Sequence, residues 1–230
     1  MRSDEAAGTR PVRPRAVPSD AFFSLMSSPP ARPDPKGGWF SSRKFGDVSY
    51  DSYLELDFIR FCETEPRITF LRHRPCTLFF VDERGATRPH VPTFATIRAG
   101  AGTFIETMYT RDVARFASRR KALARELASH GIFYDVMTEH DIRFEPRLSN
   151  VRELLRGLGT EPAPAFANAV VALLTALPDG VALGNIPDIL GVARDAQYAL
   201  YKMILEGTIR LADPDAPLTP QSKLVTSHPP

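Results

Sequence analysis

Apolar and polar positions change period along this chain. From 52 to 64 they follow a helix: Tyr53, Leu54, Leu56, Phe58, Ile59 and Phe61 supply a broad apolar side, and Pro66 ends the run. The pattern then shortens to β segments. Residues 69–73, 77–81, 88–97 and 103–109 are expected as strands, with turns at 82–85 and 99–102. Residues 111–130 return to helical spacing, with Val113, Phe116, Leu123 and Leu127 marking the buried side and Gly131 the stop. Residues 132–137 make one more strand. A β-meander followed by a helix and a further strand predicts an α/β fold, a mixed sheet with helices packed on it.

Beyond 158 the pattern changes again. Residues 159–164 are a Pro-containing linker. Helices are expected at 165–176, 186–190 and 194–206, and a small strand at 208–211, before a Pro-rich tail. Short helices, a longer helix, the Gly207 turn and a β-wing suggest a compact winged-helix-like domain over 165–230. At the other end, residues 1–38 are rich in Pro, Arg, Ser and Ala. They are expected to form a disordered basic arm with a short helix at 20–26.

Composition narrows the class. A hydrophobic share of 43% and a charged share of 24% are those of a globular protein. The net charge of +2 is too small to announce a nucleic-acid partner, but its distribution is uneven: residues 1–45 hold eight Lys/Arg against four acids. Cys62 and Cys76 lie in an expected helix and strand, without metal-binding spacing, and are expected as reduced buried thiols. No apolar run approaches the ~20 residues that cross a bilayer, so no membrane association and a cytoplasmic location are expected.

Two stretches carry a resemblance. They are WFSSRKFGDVSYDSYLELDF, Trp39 to Phe58, and MTEHDIRFEPRLSNVRELLRGL, Met137 to Leu158. Together they resemble the TnsA endonuclease subunit of heteromeric transposases, with weaker similarity continuing to LADPDAPLTPQSKLV. The resemblance implies a restriction-endonuclease-like fold over 39–158 and a metal-dependent site. In such a site carboxylates hold Mg²⁺, and the ion activates a water and stabilises charge on the phosphate. Glu55 matches the family's first acid, on the first helix. The family's Pro-Asp-Phe stands here as Pro92-Thr93-Phe94, and its Glu/Gln-x-Lys as Glu106-Thr107-Met108. Phe104, Glu106 and Met108 share one strand face, so apolar groups flank the surviving acid. Threonine lacks the aspartate charge and methionine lacks the lysine cation. The resemblance therefore implies a degenerate site with Glu55 and Glu106 as remnants. No cofactor is expected, Mg²⁺ being required only if the site is active. Asp82, Glu83 and His90 are possible replacements without a positional argument.

Binding is the remaining chemistry. In the helix at 111–130, Arg111, Arg115, Arg119, Arg120, Lys121 and Arg125 face only Asp112 and Glu126. Arg111, Arg115 and Arg119 recur every four residues and form a stripe able to neutralise phosphates. Arg194, Gln197, Tyr198, Tyr201 and Lys202 punctuate the last helix, where Gln and Arg can read base edges. In the resemblance, however, the C-terminal domain is associated with docking a partner transposase. The leading expectation is a DNA-binding, catalytically inactive protein derived from a TnsA-like endonuclease. It would act on double-stranded DNA in a transposition-like complex, with an integrase-like transposase as a partner, or as a regulator. The alternatives are a Mg²⁺-dependent endonuclease with a rearranged site, and a structural subunit bridging transposase partners.

Overall fold

The computed structural model describes residues 20–27 and 35–227. The rest of the expected basic arm lies outside them. Helix α1 (Asp20–Leu25) is followed by a hairpin of β1 (Gly38–Ser42) and β2 (Gly46–Tyr50), then α2 (Tyr53–Thr64). Strands β3 (Ile68–His73), β4 (Leu78–Val81), β5 (Thr87–His90), β6 (Phe94–Arg98) and β7 (Ala101–Thr107) precede α3 (Thr110–Ala128) and β8 (Phe133–Met137). The main sheet has the order β3-β6-β7-β8. Its first three strands are an antiparallel meander, and β8 runs parallel to β7 after the α3 crossover. This is the expected mixed α/β architecture, with a separate β4–β5 hairpin inserted between β3 and β6.

Local chemistry explains the boundaries. Ser52 caps α2 by accepting from the Glu55 amide. Ala99 (φ 50°) and Gly100 (φ 82°) form the two-residue turn between β6 and β7, the left-handed pair that a tight hairpin favours. The expected strand at 88–97 is in fact two: β5 ends at His90 and β6 begins at Phe94. Pro92 between them has no N–H to give a ladder. The β1–β2 hairpin was not expected from the sequence. It is tied to the end of α2 by Lys44, whose Nζ donates to the Cys62 and Glu65 carbonyls at 3.0 and 2.8 Å.

The sheet has two differently covered faces. Phe94, Ile105, Leu71 and Ile68 pack with Leu54, Phe58 and Ile59 of α2. Ala95, Ile97, Phe104 and Tyr134 pack with Phe116, Leu123 and Leu127 of α3, the β4–β5 hairpin and Phe22 of α1. Phe22 is fully buried over Gly102, where a Cβ would come within 2.7 Å of its ring.

After α4 (Glu139–Ile142) and α5 (Arg147–Leu154) come α6 (Pro164–Ala176), β9 (Val181–Ala182), α7 (Ile186–Leu190), α8 (Gln197–Leu205), β10 (Ile209–Leu211) and β11 (Lys223–Thr226). The last three strands named form a small antiparallel sheet in the order β10-β11-β9. The expected helix at 194–206 is shorter, with a 3-10 turn at Arg194–Ala196 preceding α8. The C-terminal core reaches back across the linker to Leu154 and Leu158. Asn150 of α5 holds the β10–β11 loop, donating to the Ala216 carbonyl at 2.8 Å and accepting from the Leu218 amide at 2.7 Å. Among the described residues no helix is long and apolar enough to cross a membrane.

Candidate functional site

The register of β6 and β7 pairs Phe94 with Ile105, so Thr93 stands across from Glu106. The Thr93 hydroxyl donates to Glu106 Oε1 at 3.1 Å and accepts from the Thr107 amide at 3.2 Å. The other carboxylate oxygen, Oε2, takes the Tyr134 hydroxyl at 2.8 Å and lies 2.9 Å from His90 Nε2. His90 Nε2 is also 2.8 Å from the Tyr134 hydroxyl. One proton assignment satisfies all three: Nε2–H shared between Glu106 and the Tyr134 oxygen, and the phenol donating to Glu106. Burial, then the Glu106 charge beside it, pushes the Tyr134 pKa well above the ordinary phenol range, which keeps it a donor.

This arrangement does not fit Mg²⁺. That ion needs oxygen ligands free to meet it in near-octahedral geometry. Both oxygens of Glu106 face protein donors, Thr93 offers a neutral hydroxyl already engaged twice, and Met108 is half-buried beside the apolar cluster around Phe104. His90 thus partners Glu106, at 2.9 Å. Tyr134 escaped the sequence reading, although Tyr134 and Val136 alternate onto the face of Phe104 and Glu106.

Glu55 belongs to a different group. Its Oε2 accepts the Asp51 amide at 2.6 Å and lies 3.3 Å from Nε2 of the buried His73. His73 Nδ1 lies 2.9 Å from the Ser49 hydroxyl. Asp51 accepts from the Lys36 amide at 3.0 Å and from Arg74 Nη1 at 3.1 Å. Burial alone would raise the Asp51 carboxyl; the Lys36 amide, Arg74 and His73 together hold it below the usual carboxylate range. His73 is paired with Phe94 on the α2 face, one residue along from Thr93. The Glu55 and Glu106 carboxylates bond to different partners, and Arg74 links their two groups, with Nη1 on Asp51 and its backbone amide donating to the Thr93 carbonyl at 2.8 Å. Asp82 and Glu83 lie elsewhere: Asp82 pairs Arg88 at 2.9 Å, and Glu83 accepts from Ser118 of α3.

The basic helix is as the sequence placed it. Arg111, Arg115, Arg119, Arg120, Lys121 and Arg125 are all exposed; Arg111, Lys121 and Arg125 point away from the buried Phe116, Leu123 and Leu127, while Arg119 and Arg120 flank that buried side. Asp112 engages Arg115 at 2.7 Å and Arg111 more loosely at 3.8 Å, and Asp135 lies 3.5 Å from Arg120. Arg119 lies over the Phe116 ring, 5.5 Å from its centroid. In the C-terminal region Arg194 is exposed, but Lys202 is a correction. It is buried, and its Nζ pairs with Glu206 at 2.7 Å. Residues Ala199 to Leu205 of α8 are all buried, and α8 packs on α5 and the turn Leu155–Gly157. Tyr198 and Tyr201 are engaged there by Arg156 at 2.6 Å and Glu153 at 3.3 Å.

Compared with known proteins, the sequence matches no protein-family model and no curated protein.

Proposed function

We propose that this chain is a catalytically silent, TnsA-like protein that binds duplex DNA through the exposed basic side of α3, in a transposition-like complex or as a regulator. The observation that carries the reading is the Thr93–Glu106 pair. A helix, a three-strand meander, a crossover helix and a parallel strand agree with a restriction-endonuclease-like core. The β6–β7 register then sets side by side the two positions at which the resemblance expects metal-binding acids. One of them is a hydroxyl, and the other is enclosed by three donors.

The helix–strand–helix–helix–strand–strand order of the C-terminal region supports a winged-helix reading. Its chemistry favours a protein partner over a DNA groove. Residues 159–227 hold seven acids against four bases, and α8 is covered. An integrase-like transposase subunit is the partner that this reading names. The same observations favour, as a second reading, a bridging subunit with little DNA contact.

One assay on one DNA panel separates these readings: duplex binding across a salt series, with plasmid nicking under Mg²⁺ or Mn²⁺. Binding that weakens with salt and leaves the plasmid intact is the expected result. Nicking that disappears in Glu106→Ala or Glu55→Ala would establish an endonuclease. Absence of duplex binding at low salt would leave the bridging subunit.

A further inference from the structure

We propose that Asp51, Glu55 and His73 form a site for one divalent transition-metal ion, Zn²⁺ being the best match, apart from Glu106 and independent of the DNA-binding reading. The three side chains come from separate places: the connection after β2, the first turn of α2, and the end of β3. One ligand atom from each lies within 4.8 Å of the others. Bonds of about 2.0–2.2 Å from a central ion to nitrogen and oxygen would draw them closer by a modest side-chain movement.

Two further features point to an ion rather than to a plain ion-pair cluster. His73 is 5% exposed, and its Nδ1 is engaged by Ser49, itself 7% exposed, which leaves Nε2 directed at Glu55. An imidazole fixed through one nitrogen so that the other can ligate is the usual support of a metal-binding histidine. Arg74, whose Nη1 holds Asp51, has a buried Nε with no acceptor among the described residues. Buried donors are normally satisfied by protein or by ordered water. A water held on an ion in this cluster would be an acceptor of the missing kind. One imidazole nitrogen and two carboxylates are a donor set that suits Zn²⁺. Mg²⁺ prefers oxygen ligands and its own waters.

Arg74 also gives the proposal its sharpest consequence, because its cation competes with the ion for Asp51. Zn²⁺ affinity of the full chain is measured by competition with a chromophoric chelator, with Mg²⁺ as a parallel arm. One Zn²⁺ per chain is expected. His73→Ala and Glu55→Gln should each weaken it more than tenfold, and Ser49→Ala by about 10- to 100-fold. Arg74→Met should tighten it. In the unaltered protein the His73 ring resonances should shift on Zn²⁺ addition, a readout that needs no variant to fold. The proposal is overturned if no stoichiometric Zn²⁺ binds, or if Arg74→Met leaves the affinity unchanged or weaker. It is also overturned if the ion is lost in His90→Ala and retained in His73→Ala. Duplex binding measured on the same preparation tests the other reading separately.

Discussion

Helices α3 and α8 look alike in one dimension and differ in three. Helix α3 carries six cations and α8 one, Lys202, with Arg194 in the turn before it, and both stretches invite a phosphate-binding reading. In α3 the apolar residues fall on one side and seal it to the sheet, so every basic side chain is left in water. In α8 seven consecutive residues are buried, including Lys202. The difference lies in what covers the second side. For α8 that cover is α5 and the turn at Leu155–Gly157, about forty residues upstream, which no local period can announce. A charge count along a helix measures capacity for contact, and tertiary packing decides whether the capacity is available.

The sharpest way to break this comparison is to strip α3. Arg111, Arg115 and Arg119 replaced together by alanine should weaken binding to all duplexes about equally, because phosphate contacts position a protein without specifying sequence. If each contacts one phosphate, the slope of log affinity against log salt should fall by about 0.9 per arginine, or about 2.7 in total. Arg119 lies partly over Phe116, so it has the smallest claim of the three. The fold should survive, because the buried side of the helix is untouched. A folded triple variant with parental affinity and salt slope would make the α3 stripe a solvated face and remove the contrast with α8.

The sequence made the strongly periodic elements plain. Helices α2 and α3 have long apolar sides and lie within two residues of their expected bounds. The 88–97 run was misread because Pro92 removes one donor inside an otherwise strand-like stretch. Strands β9 and β11 were missed because two and four residues cannot establish a period, and their pairing of Val181 with Leu224 spans more than forty positions. The candidate site was legible to the same depth. Thr93 and Glu106 are neighbours across one antiparallel ladder, and the resemblance marked both. His90 and Tyr134, which close around Glu106, arrive from 16 and 28 residues away. Only the fold assembles that enclosure.

A second test prises the cover from α8. A Cβ on Gly157 would meet Tyr201 Cβ at 2.7 Å and the Lys202 amide and Tyr198 carbonyl at 2.8 Å. Two of those atoms are backbone, so a rotamer change cannot clear them. Gly157→Ala should cost about 1–3 kcal/mol, the usual range for overpacking a tight contact. For a chain of this size that is roughly 2–4 °C of Tm per kcal/mol in a thermal melt. Duplex affinity through α3 should stay as it was. An unchanged melt would mean that the turn and α8 are not in tight contact, and would reopen α8 as a binding face.

The enclosed carboxylate offers a third, smaller perturbation, on the sheet face that α3 covers. Tyr134→Phe removes one donor from Glu106 and one partner from His90 while keeping the ring that packs on Phe116. A hydrogen bond to a charged group contributes about 1.5–3 kcal/mol. The remaining bonds from Thr93 and His90 should hold the loss to the low end, read as a lower denaturant midpoint at unchanged slope. The same variant should still bind duplex and still leave it uncut. Appearance of Mg²⁺-dependent nicking would show that the phenol alone keeps a working site closed.

The smallest effect belongs to Lys202→Met, and its smallness is the point. The ammonium group is buried, while its partner Glu206 is 46% exposed. Releasing Glu206 therefore leaves a carboxylate that water can solvate, without the penalty of a stranded buried charge. Methionine keeps an unbranched apolar stem of nearly the same length, one atom short of the ammonium. Replacing a buried ion pair by a well-packed apolar side chain is often neutral or mildly stabilising, so the melt should move by no more than about 1 kcal/mol equivalent. The salt slope for duplex binding should not move at all, in contrast to the drop of about 0.9 expected for each α3 arginine that contacts a phosphate. A slope reduced by about 0.9 in Lys202→Met, with an unchanged melt, would show Lys202 reaching a phosphate from a position that the packing of α8 closes. The separation between an open basic helix and a covered one would then fail at its most buried residue.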